Sequence, residues 1–185
     1  MKKLILIALL FASTKLLAQD IPVDSVTHKV TYQEVVKVDN TPQAELYNRA
    51  KSWFAKSFRS ANKVLQMYDK DLGKLIGKGS EPLTYKYALV NMNYTLHYTL
   101  AVVVKDGRYR YEITDITVPD DDPAGYHLTL DQIVVDGNSG KEKTKKDNGE
   151  YRNRFKGYIV NSDLFFKALI TDLKTSMAAK SKDNF

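Results

Sequence analysis

An alternating pattern from Met92 to Ile116 constrains the fold more than any other feature of this sequence. Apolar side chains occupy every even position from Met92 to Val104, and polar residues fill most positions between them. After Asp106-Gly107 the apolar residues move to odd positions, beginning at Tyr109. Strict alternation is typical of a half-buried strand, and Asp-Gly favours a two-residue turn with positive backbone angles. The sequence therefore predicts an antiparallel hairpin.

The two-residue turn also predicts the register of the hairpin, starting with Lys105 opposite Arg108. On the apolar face the predicted pairs are Val104 with Tyr109, Val102 with Tyr111, and Leu100 with Ile113. On the other face they are Val103 with Arg110, Ala101 with Glu112, and Thr99 with Thr114. Antiparallel sheets often expose one face to solvent. The candidate binding face consists of Thr95, His97, Thr99, Arg110, Glu112 and Thr114.

The rest of the chain predicts two helices and further strands around this hairpin. Alternation over Lys29–Val38 indicates a strand, and Asn40 or Thr41 then caps a helix that runs from Pro42 to about Phe58. A short strand over Val64–Tyr68, a glycine turn around Gly77–Gly79 and a last helix capped by Ser162 follow. The β-α-β(n)-α order predicts an α+β fold, a curved antiparallel sheet with two helices packed on one face.

The first 18 residues have the features of a secretory signal peptide. Lys2 and Lys3 precede an uncharged run over Leu4–Ala12, which is too short to cross a bilayer, and Ala18 precedes the expected cleavage site. An uncleaved anchor remains the alternative. We expect a linker over 19–28, one α+β domain over 29–180 and a tail over 181–185, in a secreted or periplasmic protein without an integral membrane segment after cleavage. With no cysteine, the chain cannot be a lipoprotein or form disulfides.

The charge of +6 is unevenly distributed along the sequence. Without Lys2, Lys3 and Lys15 of the signal the chain keeps 25 basic and 22 acidic side chains, a charge of +3. The stretch over 140–157 alone carries +4, and we interpret 136–157 as a mobile basic loop. If an anionic partner exists, the predicted site is this loop, with Lys141, Lys143, Lys145, Lys146, Arg152 and Arg154.

No motif in the sequence points to a cofactor, a metal or an enzyme. The three histidines lack metal-ligand spacing, and Gly73–Gly79 is one residue short of a phosphate-binding loop. His97 with Glu112 is the one candidate hydrolase pair, and it lacks a third group. A binder of a small amphiphile is another alternative, with the ligand held between sheet and helices by Trp53, Phe54, Tyr98 and Tyr111. Nucleic acid is not expected, because most tyrosines fall on apolar faces and the protein is predicted to be exported.

Three strings resemble an uncharacterised family of secreted bacterial proteins, described as a domain of unknown function with a TATA-binding-protein-like fold. They lie at Ala44–Phe54, Ile76–Gly79 and Lys105–Asp115, within about residues 30–115. The resemblance implies a helix-grip sheet and export, and the family has no established activity to transfer. The fold does not imply DNA binding, because function lies in sites. We therefore predict an exported, non-enzymatic module that binds a protein, a peptide or a cell-surface glycan through the polar sheet face.

Overall fold

The computed structural model describes residues 21–58, 65–87, 89–118, 128–139 and 150–179. Its elements are, in chain order, β1 (Tyr32–Lys37), α1 (Gln43–Ser57), β2 (Leu65–Asp69), β3 (Lys74–Tyr87), β4 (Val90–Lys105), β5 (Arg108–Val118), β6 (Leu128–Thr129), α2 (Leu130–Ser139) and α3 (Glu150–Ala178). The predicted signal peptide and C-terminal tail lie outside the described residues. None of the described helices is both long and apolar enough to cross a membrane.

The strands form one antiparallel sheet in the order β1-β5-β4-β3-β2, and β6 pairs with the end of β5. The predicted α+β class and the hairpin register, from Lys105 opposite Arg108 to Thr99 opposite Thr114, are confirmed. Beyond Thr114 the register shifts, because Asp115 adopts a positive φ of 52° in a β-bulge. The bulge returns Ile116 to the buried face and sets His97 opposite Thr117.

The predicted glycine turn around Gly77–Gly79 is wrong. These residues lie inside β3, a strand of 14 residues, where Gly79 pairs with Tyr98 of β4. A Cβ atom on Gly79 would come within 2.1 Å of the Tyr98 ring, so the glycine makes room for an aromatic core residue. Pro82 lies farther along β3, where the strand pairs only with β4 among the described strands. Proline is tolerated at such an edge because no ladder bond needs its N–H.

All three described helices pack against the same face of the sheet. The apolar stripe of α1 is confirmed as core, with Leu46, Tyr47, Ala50, Trp53 and Phe54 buried. The helix does not have the predicted side-chain cap from Asn40 or Thr41. Instead, Asp106 of the hairpin turn accepts a hydrogen bond of 2.7 Å from the Gln43 N–H. The turn and the helix start are thus one unit, also joined by a 2.9 Å bond from the Gly107 N–H to the Thr41 carbonyl.

The predicted last helix is confirmed, but its cap at Ser162 and the two ends of the predicted loop over 136–157 are not. The middle of that loop, residues 140–149, lies outside the described residues. Helix α2 extends to Ser139 and α3 begins at Glu150, so both ends of the predicted loop are helical, and the described helices number three rather than two. Ser162 and Asp163 lie in the middle of α3 and are fully buried. Asp163 accepts hydrogen bonds from the Tyr32 hydroxyl at 3.1 Å and from Lys167 at 2.7 Å. These two buried polar residues interrupt the apolar pattern of the helix, which is why the sequence predicts its start at Ser162 rather than at Glu150.

The predicted linker over 19–28 is described from residue 21 onward. Val23 forms an isolated antiparallel bridge with Val30, and the Thr31 N–H donates to the Pro22 carbonyl at 3.0 Å. The Asp24 carboxylate closes the turn between them by accepting from the Val26 and Thr27 amides. The described part of this segment therefore folds back before it enters β1.

Candidate functional site

The sheet face opposite the helices is the candidate site, and we call it the open face. The six predicted residues all lie on it, and they are half-buried except for the more exposed Arg110: Thr95, His97, Thr99, Arg110, Glu112 and Thr114. The described aromatic side chains of the sheet point away from it, toward the helices. The open face therefore presents hydroxyl, amide and charged groups with a few aliphatic side chains.

Five basic residues gather at the hairpin end of the open face, where β1, β5, β4 and β3 lie side by side. We call this cluster the basic patch: Lys37, Lys74, Lys105, Arg108 and Arg110. In the outer row Arg108 lies directly opposite both Lys37 and Lys105. In the next row Arg110 lies between Val35 and Val103. Neighbouring strands are about 4.8 Å apart, so the cations of the outer row lie close together.

A surface depression of about 300 Å³ lies within the basic patch. Its lining consists of Val35, Val103, Lys105, Arg108, Arg110 and Tyr109, and the side chain of Tyr109 is buried toward the helices. Val35 is unusually open for an apolar side chain, with 56% of its surface exposed. The depression thus offers cationic groups at its rim and aliphatic side chains beside them.

Two acidic residues lie next to the basic patch among the described residues: Asp69, which is opposite Lys74 across β2 and β3, and Glu112. Within the described part of the chain, Arg110 makes the one ion pair of the patch, a 3.8 Å contact with Glu112 in the neighbouring row. Lys37, Lys105 and Arg108 have no ion pair in the described part of the chain, although they face one another. Like charges directly opposite each other in a sheet are destabilising. The arrangement therefore keeps several cations free to receive an anionic group.

The candidate hydrolase pair is not formed. Glu112 pairs across the strands with Ala101, four residues away from His97 on β4. At the usual rise of a strand, this separation places the two side chains about 13 Å apart along the sheet. Among the described residues, no group of three His, Cys, Asp or Glu side chains is arranged to hold a metal ion.

The residues suggested for an amphiphile site form the core between sheet and helices. Phe54, Tyr98 and Tyr111 are buried and line neither of the two cavities described here. Trp53 donates a 2.6 Å hydrogen bond from its indole N–H to Asp172. It lines a groove of about 460 Å³ between α1 and α3 on the outer side of the helices, away from the sheet.

The candidate anionic-partner loop has no described side chains. Lys141, Lys143, Lys145 and Lys146 lie outside the described residues, and Arg152 and Arg154 lie in the first turns of α3, where only the backbone is described. Of the basic patch, the sequence predicts only Arg110 as a site residue; it does not assign Lys37, Lys74, Lys105 or Arg108, or the neighbouring Val35 and Val103, to a site. The one sign of a basic patch in the sequence is the predicted pair of Lys105 with Arg108, which places two like charges opposite each other. The sequence does not show that β1 pairs with β5, and this pairing brings Lys37 to the same row.

Comparisons with known proteins agree on the fold. Residues 32–118 match the model of a family described as a domain of unknown function (DUF4468) with a TBP-like fold, and the predicted resemblance is confirmed over that range. The chain is similar to the crystal structure of a TBP-like protein from Parabacteroides distasonis, at 20% identity and a TM-score of 0.67, over 85% of this chain and 96% of that one. It is also similar to a DUF4468 family protein from Bacteroides ovatus, at 17% identity and a TM-score of 0.64, over 86% and 92%. No curated protein matches this chain.

Proposed function

We propose that this chain, whose residues 32–118 match a domain of unknown function with a TBP-like fold, is an exported, non-enzymatic binding module. The open face of its sheet is the proposed binding surface, and the basic patch is the anchoring end of that surface. The partner is a macromolecule rather than a small amphiphile, because the apolar residues between sheet and helices are used for packing.

The observation that carries the proposal is the row Lys37–Arg108–Lys105. Arg108 lies directly opposite both Lys37 and Lys105, like charges in such positions lower the stability of a sheet, and none of the three makes an ion pair among the described residues. An arrangement that costs stability is typical of a functional surface rather than a structural one. Its position beside a depression, on a face without a described helix over it, supports a role in binding.

Site-specific crosslinking tests the open face directly. A benzophenone amino acid is placed at Thr99, in the middle of the open face, in the full chain expressed in its host cell. A matched variant carries the same group at Ala55, which is exposed on α1 on the opposite side of the molecule. We expect a partner to be captured at Thr99 and not at Ala55. Equal capture at both positions, or capture at Ala55 alone, would overturn the proposal.

The captured partner, once purified, gives the second half of this test. Double substitution Arg110→Ala/Thr114→Ala should weaken its binding and leave the melting temperature nearly unchanged, because both side chains are at least partly exposed. Unchanged affinity would show that the partner does not use the open face. A large loss of melting temperature would show that the two residues serve the fold.

Export rests on the sequence of the first 18 residues and has its own test. The protein recovered from outside the cytoplasm should begin at Gln19, as read by N-terminal mass spectrometry. A protein that stays in the cytoplasm with Met1 or Lys2 at its N-terminus would contradict the proposed location, without affecting the proposed binding face.

A further inference from the structure

We infer that the partner presents to the basic patch an extended acidic peptide segment that also carries apolar side chains. This inference rests on the proposed function and specifies the chemistry of the partner. The charge of the patch favours an anionic ligand, since three of its five basic residues have no ion pair in the described part of the chain and no acid opposite them in the sheet: Lys37, Lys105 and Arg108. Lys74 lies opposite Asp69 of β2.

The spacing of the arginines fits a chain in extended conformation. Arg108 and Arg110 are two residues apart on β5 and point to the same face. Alternate side chains of an extended peptide repeat at about 6.7 Å, the same distance that separates these two arginines along the strand. A peptide lying along β5 therefore brings one carboxylate over the Lys37–Arg108–Lys105 row and the next over Arg110. Arginine can hold each carboxylate through two parallel hydrogen bonds.

The aliphatic residues of the depression favour a peptide over other polyanions. Val35 and Val103 flank Arg110, and Val35 is 56% exposed. Burial of these side chains stabilises a complex only if the ligand brings apolar groups of its own, as leucine or valine side chains do. A sulfated glycan or a nucleic-acid backbone carries no aliphatic side chain to pack against these valines.

The aromatic side chains of the sheet give independent support for a peptide. Proteins that bind single-stranded nucleic acid stack the bases on aromatic rings. On the described strands the aromatic residues lie on the helix-facing side, including Tyr94, Tyr98, Tyr109 and Tyr111. The open face has no such ring among the described residues, so it lacks the usual platform for bases.

Fluorescence anisotropy with defined probes tests the inference on the full chain without its signal. The main probe is a labelled eight-residue peptide of glutamates and leucines. Four further probes are the same peptide with lysine for glutamate, the same peptide with serine for leucine, a sulfated hexasaccharide and an eight-nucleotide single-stranded DNA. We expect the glutamate–leucine peptide to bind tightest and the lysine peptide not to bind.

Charge reversal locates the site. Arg108→Glu/Arg110→Glu should weaken binding of the glutamate–leucine peptide about tenfold or more, because each arginine loses a charge-assisted contact. The matched control is Lys56→Glu/Lys156→Glu, which makes the same charge change at exposed positions of α1 and α3, away from the open face. The control should keep its affinity within about twofold, and melting temperatures show that both variants fold.

Three results would overturn the inference. They are absence of binding by the glutamate–leucine peptide, an equal loss of affinity in both double variants, and tighter binding of the serine peptide, the hexasaccharide or the DNA. The proposed function has a separate criterion, because the partner crosslinked at Thr99 is tested without reference to its charge. If that partner binds through the open face while the acidic peptide does not bind, the proposed function is supported and the inference of an acidic peptide segment is wrong.

Discussion

At the scale of single residues, Asp106 performs two tasks that lie far apart in the sequence. It forms the hairpin turn with Gly107, whose φ is 71°, and its carboxylate accepts the hydrogen bond from the Gln43 N–H at the start of α1. The N-cap position itself is occupied by Pro42, which has no hydroxyl or carboxylate to satisfy that donor. One side chain therefore sets both the hairpin and the position of the helix against it.

Substitution Asp106→Ala should lower the free energy of unfolding by about 1 kcal/mol, the usual effect of removing a helix cap. Asp106→Asn is the matched control and should retain most of the stability, because asparagine also accepts this hydrogen bond and suits the turn. Chemical denaturation of both variants measures the difference. Equal stability of the alanine variant and the wild type would contradict the capping role.

At the scale of elements, Glu34 joins strand β1 to β5 and to α3. Its carboxylate accepts hydrogen bonds from Lys174 at 2.6 Å and from the Tyr111 hydroxyl at 3.0 Å. The hydrogen bond from Lys174 is the largest cause that lowers the pKa of the Glu34 carboxyl from its ordinary value of 4.5. Burial and the nearby Glu34 carboxylate raise the pKa of the Tyr111 hydroxyl, so Tyr111 stays a hydrogen-bond donor at neutral pH. The ion pair between Glu34 and Lys174 therefore links the edge strand β1 to the last helix, α3.

Because the pKa of Glu34 is lower in the folded state, its stabilising effect is present above pH 4.5 and is lost as the pH falls through the folded-state value. Lys174→Met should lower the free energy of unfolding at pH 7 by roughly 0.5 kcal/mol, a small value because solvent screens both groups. The gap between wild type and variant should close toward pH 3. In the Glu34→Gln background the same substitution should have little effect at either pH, and a gap that persists at pH 3 would argue against the pair.

At the scale of the whole molecule, the basic patch is a local excess of positive charge, although acidic and basic side chains occur on both sides of the sheet. Several acids accept hydrogen bonds at the helix side or at the sheet edge: Glu34, Glu45, Asp106, Asp131, Asp163 and Asp172. The basic residues of the patch are left on the open face. A charge sum along the sequence therefore misses the patch, because the acids that balance it numerically are engaged elsewhere.

Repulsion within the basic patch predicts that a substitution which weakens binding of the acidic peptide makes the folded protein more stable. Arg108→Glu converts two like-charge contacts into attractive ones and should raise the free energy of unfolding by about 0.5 kcal/mol at low ionic strength. The gain should shrink in 1 M salt, where charges are screened within about 3 Å. Lys86→Glu, opposite Asn91 at the far end of β3, is the control and should change stability little. Destabilisation by Arg108→Glu at low salt would contradict the repulsion.

The sequence by itself determined the hairpin over Met92–Ile116, its register up to Thr114 and the helical stripe of α1, because alternation, helical spacing and Asp-Gly turn chemistry act between near neighbours. Only the tertiary structure decided the long strand β3, the buried Ser162 and Asp163 of α3, and the basic patch. Each of these depends on residues that are distant in sequence: the Tyr98 ring over Gly79, the Tyr32 hydroxyl on Asp163, and Lys37 beside Arg108. The six residues of the candidate face could be predicted from local pattern, whereas the site's charge could not, because it arises where strands from three parts of the chain meet.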